Sequence, residues 1–310
     1  MKKKIIKYIG NIVVAISLLF IIKRMYKYRQ EVSSMWSKDV LLVIIVSSLA
    51  YGLIMIGSSV VYRFVVCVVS DSDISMKKTV NIYCKSNLYK YLPGNVMHLV
   101  GKNQLAEETS ATHGQIAFCT FLDLLCSAIG AVFVSIILSG TFVIKWLGDK
   151  GISIVSLILL ILVLLFIFMA FIFVIFRSEK MSSIKKHFKR VFCKRGIIVL
   201  LGVIAYYMIT QTIGGFLFIW LLGSLTDISS MAALYYFVGV YVFSWLIGFI
   251  TPGAPGGIGI RETMLNILLA GIIAPQVVIV ATVFNRIITT MGDIIAFLVS
   301  EVISIAPNMD

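Results

Sequence analysis

Two short segments of this chain combine residues that break helices with residues that carry charge. The segment TPGAPGGIGIRE, residues 251–262, contains two prolines and four glycines and ends in Arg261 and Glu262. Proline lacks a backbone N–H, and glycine adopts backbone conformations closed to other residues, so this segment cannot continue a helix. The segment KYLPGNVMHLVGKNQLAEE, residues 90–108, likewise places a Pro–Gly pair ahead of glycine and charge.

The chemistry that residues 251–262 predict is the binding of an anion. A helix that begins near Glu262 points its free backbone N–H groups and the positive end of its dipole at a phosphate. Arginine adds bidentate recognition of phosphate oxygens. We therefore predict a site for an anionic lipid headgroup formed by Gly256, Gly257, Gly259, Arg261, Glu262 and Arg286. Glu262 then pairs with an arginine, or with an amine if the headgroup carries one.

A purely structural interpretation of the same charges stays open. A charge inside a membrane costs about 2.5–3.5 kcal/mol at the centre of a helix, so each one needs a partner or a cavity. In the structural interpretation Glu262 pairs with Arg286, and Asp123 pairs with a neighbour, to hold helices together. Arg286 and Asp293 share one helical face but lie about 10 Å apart along it, too far for a direct ion pair.

No other chemistry is indicated by the residue pattern. The three histidines, His98, His113 and His187, show no metal-binding motif. A Walker loop, GxxxxGK[ST], is missing from the sequence, which argues against direct use of ATP. We predict a protein that is not an enzyme and that needs no metal and no cofactor.

The composition assigns the chain to the integral membrane proteins. Apolar residues make up 60% of the 310 positions and charged residues 13%, whereas a soluble domain averages about 25% charged. The net charge of +13 comes from basic residues clustered between apolar runs, as in cytoplasmic loops that face anionic lipid. This pattern argues against nucleic acid as a partner.

The apolar runs predict an all-α fold, a polytopic transmembrane helical bundle with about eight membrane segments in one domain over residues 1–310. A helix needs about 20 apolar residues to cross the bilayer. The segments are predicted at 5–22, 40–62, 115–140, 152–176, 196–226, 231–250, 262–274 and 276–305. Because 262–274 is too short to span, the end of the chain forms either two tilted spans or a half-helix hairpin followed by one long span.

Basic residues predict the orientation of the bundle in a cell membrane. Residues 177–195 carry eight Lys and Arg, which places this loop in the cytoplasm. Counting outward puts 63–114 and the N-terminus inside, and 141–151 and 223–230 outside. One loop disagrees, because 23–38 carries five basic residues on the predicted outer side.

The two interrupted segments together predict a transporter-like site. Discontinuous helices in corresponding halves of a chain are typical of binding sites at the interface of an internal repeat, and such a repeat is left open here. This motif pair consists of Pro93, Gly94, Asn95, His98, Gly101, Lys102, Pro252, Gly253 and Pro255. Asp123 and Asp293 are charges within the apolar segments, and each is a candidate coupling carboxylate.

The motifs YLPGN…HLVGK and PGGIGIRE, followed by Asn285 and Arg286, resemble the flippase-like membrane family. That family includes the membrane half of lysylphosphatidylglycerol synthases (the multiple-peptide-resistance proteins) and stand-alone relatives, some associated with polysaccharide assembly. The resemblance covers nearly the whole chain and adds Asn285 to the predicted headgroup site. Relatives often carry Arg where this chain has Lys102. The soluble aminoacyltransferase domain of the synthases has no counterpart after the last predicted helix.

The leading hypothesis is a lipid translocase for cell-envelope or polysaccharide assembly. It moves the headgroup of an anionic phospholipid or a polyprenyl-phosphate-linked glycan between leaflets. An alternative is a membrane partner that positions a lipid-linked substrate for a separate glycosyltransferase or synthase without transport. A third interpretation is an ion-coupled solute transporter that uses Asp123 or Asp293. The sequence leaves open the lipid, the energy source and the oligomeric state.

Overall fold

The computed structural model describes residues 35–91, 97–149, 182–228, 231–251 and 259–305. Within these ranges every regular element is helical, so the prediction of an all-α fold is confirmed for the described residues. The predicted spans at 5–22 and 152–176 lie outside them.

Ten α-helices are present in the described residues, and a 3-10 turn, Leu88–Tyr91, extends the second of them. In chain order they are α1 Lys38–Ser70, α2 Met76–Asn87, α3 Met97–Lys102, α4 Leu105–Glu108, α5 His113–Asp149, α6 Ser182–Val191, α7 Lys194–Gly223, α8 Met231–Ile250, α9 Ile260–Leu268 and α10 Pro275–Ile305.

Four of these helices are long and apolar enough to cross a membrane. They are α1, the His113–Gly140 part of α5, α7 and α10. They match the spans predicted at 40–62, 115–140, 196–226 and 276–305. The apolar part of α8, Leu234–Ile250, is shorter. The described residues therefore establish a helical protein with four candidate membrane spans, and the count of about eight stays a prediction.

Helix α1 has an exposed face that suits contact with lipid. The side chain of Ser37 accepts a hydrogen bond from the Val40 N–H at the start of the helix. Its 33 residues make a helix about 50 Å long, longer than the roughly 30 Å hydrocarbon core of a bilayer. Leu42, Ile45, Leu49 and Leu53 are exposed at spacings of three and four residues. These side chains form one apolar stripe on the outside of the bundle.

Glycines allow the long helices to cross closely. A Cβ atom on Gly292 of α10 would lie 2.9 Å from the Ser48 carbonyl oxygen and 3.0 Å from the Gly52 nitrogen of α1. A Cβ on Gly130 of α5 would lie 3.2 Å from the Met208 nitrogen of α7. Small residues at such crossings let two backbones approach, which is the usual packing of membrane helices.

Contacts between helix termini show which helices start or finish at the same end of the bundle. Arg190 of α6 donates a hydrogen bond to the Val69 carbonyl at 2.8 Å and pairs with Asp71 at 3.2 Å. The end of α1 and helix α6, which belong to the segments 63–114 and 177–195 predicted to be cytoplasmic, therefore share one end of the bundle, which we call the basic end. At the other end Leu221, near the end of α7, packs with Val40 and Val280. Which end faces the cytoplasm stays a prediction.

Helices α8 and α9 form an antiparallel hairpin whose base lies at the end opposite the basic end. The Tyr236 hydroxyl, near the start of α8, donates to the Leu268 carbonyl at the end of α9 at 2.7 Å. Helix α9 has nine residues, a length of about 14 Å, and cannot span a bilayer. Gly271 then turns the chain with φ 79°, and Pro275 begins α10. Residues 262–305 thus form one short helix and one long helix.

Helices α2, α3 and α4 form another hairpin, the first of the two in chain order, with its base at the basic end. The Lys78 ammonium group, near the start of α2, donates to the Glu108 carbonyl at the end of α4 at 2.9 Å. Further along, a Cβ on Gly101 of α3 would lie 2.7 Å from side-chain atoms of Ser86 and Tyr89. Close packing of α3 against α2 requires glycine at this position. The two hairpins enter the bundle from opposite ends.

Candidate functional site

A cavity of about 360 Å³ lies where the inner ends of the two hairpins meet. That volume is within the range of about 300–1,000 Å³ typical of ligand sites. Its lining combines four cations, two carboxylates and five tyrosines. They are Lys90, Lys102, Arg261, Arg286, Asp123, Glu262, Tyr51, Tyr83, Tyr91, Tyr207 and Tyr241.

The Lys102–Asp123 pair connects α3 to α5 and is buried. The Lys102 Nζ lies 2.8 Å from Asp123 Oδ2, and the Tyr207 hydroxyl donates to Oδ1 at 2.5 Å. The Tyr83 hydroxyl is 3.4 Å from the same carboxylate, and its ring lies under the ammonium group at 4.0 Å. Each charge has its partners, so this cluster acts as a structural tie between helices.

The Lys90–Asp293 pair connects the inner end of the first hairpin to α10. The Lys90 Nζ lies 2.6 Å from Asp293 Oδ2. Asn87 donates to Oδ1 at 2.8 Å, and the Tyr91 hydroxyl donates to Oδ2 at 2.5 Å. Asp293 is fully buried behind these groups and does not itself line the cavity. All four side chains belong to one polar network.

The Glu262–Arg286 pair connects α9 to α10. The Arg286 Nε donates to Glu262 Oε1 at 3.0 Å. The other carboxylate oxygen, Oε2, accepts from the Gly259 N–H at 2.7 Å and so caps the start of α9. Gly259 has φ 87°, a conformation that favours glycine. The Glu262 carboxylate thus occupies part of the N-terminus of α9, where the sequence predicts phosphate binding.

Arg261 differs from the other three cations of the cavity because, among the described residues, no carboxylate pairs with it. Its guanidinium carbon lies 5.4 Å from the centre of the Trp245 ring. Its Nε is buried and has no hydrogen-bond partner in the described part of the chain. The guanidinium group of arginine is not deprotonated in proteins, so Arg261 carries a positive charge. Arg261 is a cation available to a ligand.

The structure places some of the predicted site residues at the cavity and others away from it. Arg261, Glu262, Arg286, His98, Lys102 and Asp123 all line the cavity. Asn285 does not line it, but donates to the hydroxyl of Tyr241, which does, at 3.4 Å. Gly101 packs helices and Gly259 caps one. The remaining motif residues lie outside the described ranges: Pro93, Gly94, Asn95, Pro252, Gly253, Pro255, Gly256 and Gly257.

Several cavity residues were not predicted from the sequence. Tyr51 is a single tyrosine within an apolar run, Tyr207 is the second of the adjacent pair Tyr206–Tyr207, and Trp245 is one aromatic among many. Lys90 is the first residue of the segment 90–108. Its position three residues before Pro93 is the sequence signal that could have identified it as a site residue. A partner for the buried Asp293 had to exist, which also pointed to a nearby cation.

The two helix crossings use matching positions in the two halves of the chain. Gly130 is the eighteenth residue of α5, and Gly292 is the eighteenth residue of α10. A Cβ on Gly130 would meet Tyr207, the fourteenth residue of α7, and a Cβ on Gly292 would meet Tyr51, the fourteenth residue of α1. The α5–α7 contact therefore corresponds to the α10–α1 contact at the glycine and at the tyrosine.

The hairpins also match. His98 and Arg261 are the second residues of α3 and α9. In both hairpins the short returning helix is bound to the following long helix by an ion pair, with the charges exchanged. The cation is on α3 in Lys102–Asp123 and on α10 in Glu262–Arg286.

Comparison with known proteins adds no relative to this description. No protein-family model matches the chain, and no curated protein matches it. The resemblance to the flippase-like family stays a prediction from the two motifs.

Proposed function

We propose that this protein is a lipid translocase that moves the headgroup of an anionic phospholipid or a polyprenyl-phosphate-linked lipid between the leaflets of the cell membrane. The observation that carries the proposal is Arg261. It lines a cavity inside the bundle, is protonated, and has no ion pair among the described residues. A guanidinium group placed in this way binds a phosphate bidentately. The proposed activity changes the position of the lipid and not its covalent structure.

The charge balance of the cavity supports an anionic ligand. Its four cations, together with the three carboxylates Asp123, Glu262 and Asp293, leave one positive charge uncompensated. Three ion pairs account for all of the acids, and Arg261 is the cation left over. A neutral or cationic solute would leave that buried charge without a partner, which is costly in a membrane.

We infer that the two halves of the chain form an inverted repeat. The matching positions of Gly130 and Gly292, and of Tyr51 and Tyr207, support this inference. So does the entry of the two hairpins from opposite ends, which makes each of them a re-entrant element. In transporters of this architecture the site lies at the repeat interface, and alternating access moves one half against the other. A headgroup held there becomes accessible from each side in turn.

The interpretation as an ion-coupled solute transporter has less support. It requires a carboxylate that can exchange a proton or a sodium ion. Asp123 and Asp293 are each bonded to a lysine and to tyrosine hydroxyls, which leaves little capacity for an ion. Removing one partner of such a buried pair costs about 3–5 kcal/mol.

The test is the replacement of Arg261 in purified protein reconstituted into vesicles. Movement of fluorescently labelled phosphatidylglycerol between leaflets is followed by quenching with a membrane-impermeant reductant. We expect Arg261→Ala to lower the rate at least tenfold, because the phosphate loses its cation. The melting temperature should change little, because no ion pair is broken. Arg195→Ala, at an exposed cation far from the cavity, is the matched control and should leave the rate unchanged.

Two results would contradict the proposal. If the Arg261→Ala protein moves the lipid at the rate of the unchanged protein, Arg261 does not bind the phosphate. Wild-type protein that binds the anionic lipid but never moves it across the bilayer favours the alternative, a partner that positions a lipid-linked substrate for a separate enzyme.

A further inference from the structure

His98 lines the cavity and has unused hydrogen-bonding capacity. It is the second residue of α3, and its Nδ1 is buried without a hydrogen-bond partner in the described part of the chain. A buried polar group left in this way costs about 1–3 kcal/mol. A ligand in the cavity would supply the missing partner.

The surroundings of His98 keep its imidazole neutral. Its buried Nδ1 and the nearby positive charges of Lys102 and Lys90, which line the same cavity, favour the neutral form of the imidazole. Both ammonium groups are held in ion pairs, Lys102 with Asp123 and Lys90 with Asp293. A neutral imidazole has one donor nitrogen and one acceptor nitrogen. It suits a hydroxyl group, which also donates and accepts, better than it suits a phosphate.

His98 occupies the position in its hairpin that Arg261 occupies in the other hairpin. Both are second residues of short returning helices, both line the same cavity, and both have a buried nitrogen without a partner in the described residues. One is cationic and the other neutral. A ligand that fills the cavity therefore meets a phosphate-binding group and a hydroxyl-binding group.

We propose that His98 is a specificity residue that binds a hydroxyl group of the lipid headgroup whose phosphate binds Arg261. The inference rests on the proposed function, because Arg261 holds the phosphate. It narrows the ligand class to phosphate-bearing lipids whose headgroup carries a hydroxyl. Lipids with the same charge and an alkyl headgroup bind less tightly, because they leave the imidazole Nδ1 unpaired.

The experiment compares two lipids of equal charge, phosphatidylglycerol and phosphatidylpropanol, which differ in the headgroup hydroxyls. Short-chain forms are titrated into purified protein in neutral detergent. We expect the unchanged protein to bind phosphatidylglycerol about tenfold more tightly, a difference of about 1.4 kcal/mol. His98→Phe should bind both lipids with the affinity that the unchanged protein has for phosphatidylpropanol. His98→Gln, which keeps a neutral donor and acceptor, should retain part of the preference.

The outcomes separate this inference from the proposed function. Equal affinity of the unchanged protein for the two lipids, with both lost in Arg261→Ala, overturns the role of His98 and leaves the anion site standing. Failure of the unchanged protein to bind either lipid overturns the anion site itself. A His98→Phe protein that keeps the full preference overturns the role of His98. If that variant folds poorly, His98→Gln decides the question: a full preference overturns the role of His98, and a reduced preference supports it.

Discussion

Three ion pairs hold the helices around the cavity in place. Arg261 is the one cation of the cavity that has no such pair among the described residues. Asp123, Asp293 and Glu262 each bind a cation from another helix. Buried pairs of this kind are weak evidence for stability, because the desolvation of both charges offsets their attraction. Their removal one partner at a time is nevertheless costly. The contrast between these pairs and Arg261 leads to a prediction about Arg286.

Replacement of Arg286 by alanine should destabilise the protein by about 2 kcal/mol, because Glu262 loses its partner in a site that is partly open to the cavity. The loss stays moderate since the Gly259 N–H still binds the carboxylate. The double change Arg286→Ala with Glu262→Ala should recover much of it. The measurement is thermal unfolding of the purified variants in detergent.

The same variants separate the two interpretations of the Glu262–Arg286 pair. Recovery of both stability and lipid movement in the double variant means that Arg286 acts only as a structural partner. Recovery of stability without lipid movement means that Arg286 also contacts the phosphate. A single Arg286→Ala variant as stable as the unchanged protein would show that the observed ion pair contributes nothing to folding.

The hairpins and the crossings are the elements on which the site depends. Gly292 and Gly52 bring α10 against α1, which places Arg286 and Asp293 opposite Tyr51 and the first hairpin. Gly130 brings α5 against α7, which places Asp123 beside Tyr207. Each crossing therefore positions residues on one side of the cavity.

Gly292→Ala should lower the free energy of unfolding by about 1–3 kcal/mol, because the new methyl group would lie 2.9 Å from a carbonyl oxygen of α1 and force the helices apart. Gly202→Ala in α7 is the matched control. A Cβ there meets nothing within 4 Å, and alanine is the better helix former by up to about 1 kcal/mol. Thermal unfolding in detergent measures both. Equal stability of the two variants would contradict the close α1–α10 crossing.

The whole molecule is a helical bundle whose two hairpins enter from opposite ends, and its orientation in the membrane is open to a direct test. The basic end carries Arg190, Lys194 and Arg195, and basic residues next to membrane spans favour the cytoplasmic side. The exposed thiol of Cys193 lies at the same end, whereas Cys84, Cys119 and Cys126 are buried.

Cys193 should react with a membrane-impermeant thiol reagent in inside-out vesicles and not in whole cells, because the basic end is predicted to face the cytoplasm. The variant Asp227→Cys, at an exposed position in the loop between α7 and α8, should react in whole cells. Mass spectrometry of the labelled peptides distinguishes the two sites. Labelling of Cys193 in whole cells would reverse the orientation, and would place the first hairpin on the outer side.

The sequence by itself determined the class of fold and the residues of greatest interest, because both follow from local properties. An apolar run of the length of a bilayer forms a helix wherever it occurs, and the spans at 40–62, 115–140, 196–226 and 276–305 were predicted in this way. Arg261, Glu262 and Arg286 stand out because charge in such surroundings needs a reason.

The tertiary structure decided which charges pair and which one stays available. Lys90 and Asp293 are distant in sequence, and their contact depends on α2 entering the bundle and on the α1–α10 crossing. Residues 76–87 are polar, and the sequence predicts them as part of a cytoplasmic loop. They form helix α2 instead, and Asn87 at its end donates to Asp293 inside the bundle. Pairing depends on where helices meet, so only the tertiary structure shows that three cations of the cavity have carboxylate partners and that Arg261 has none among the described residues.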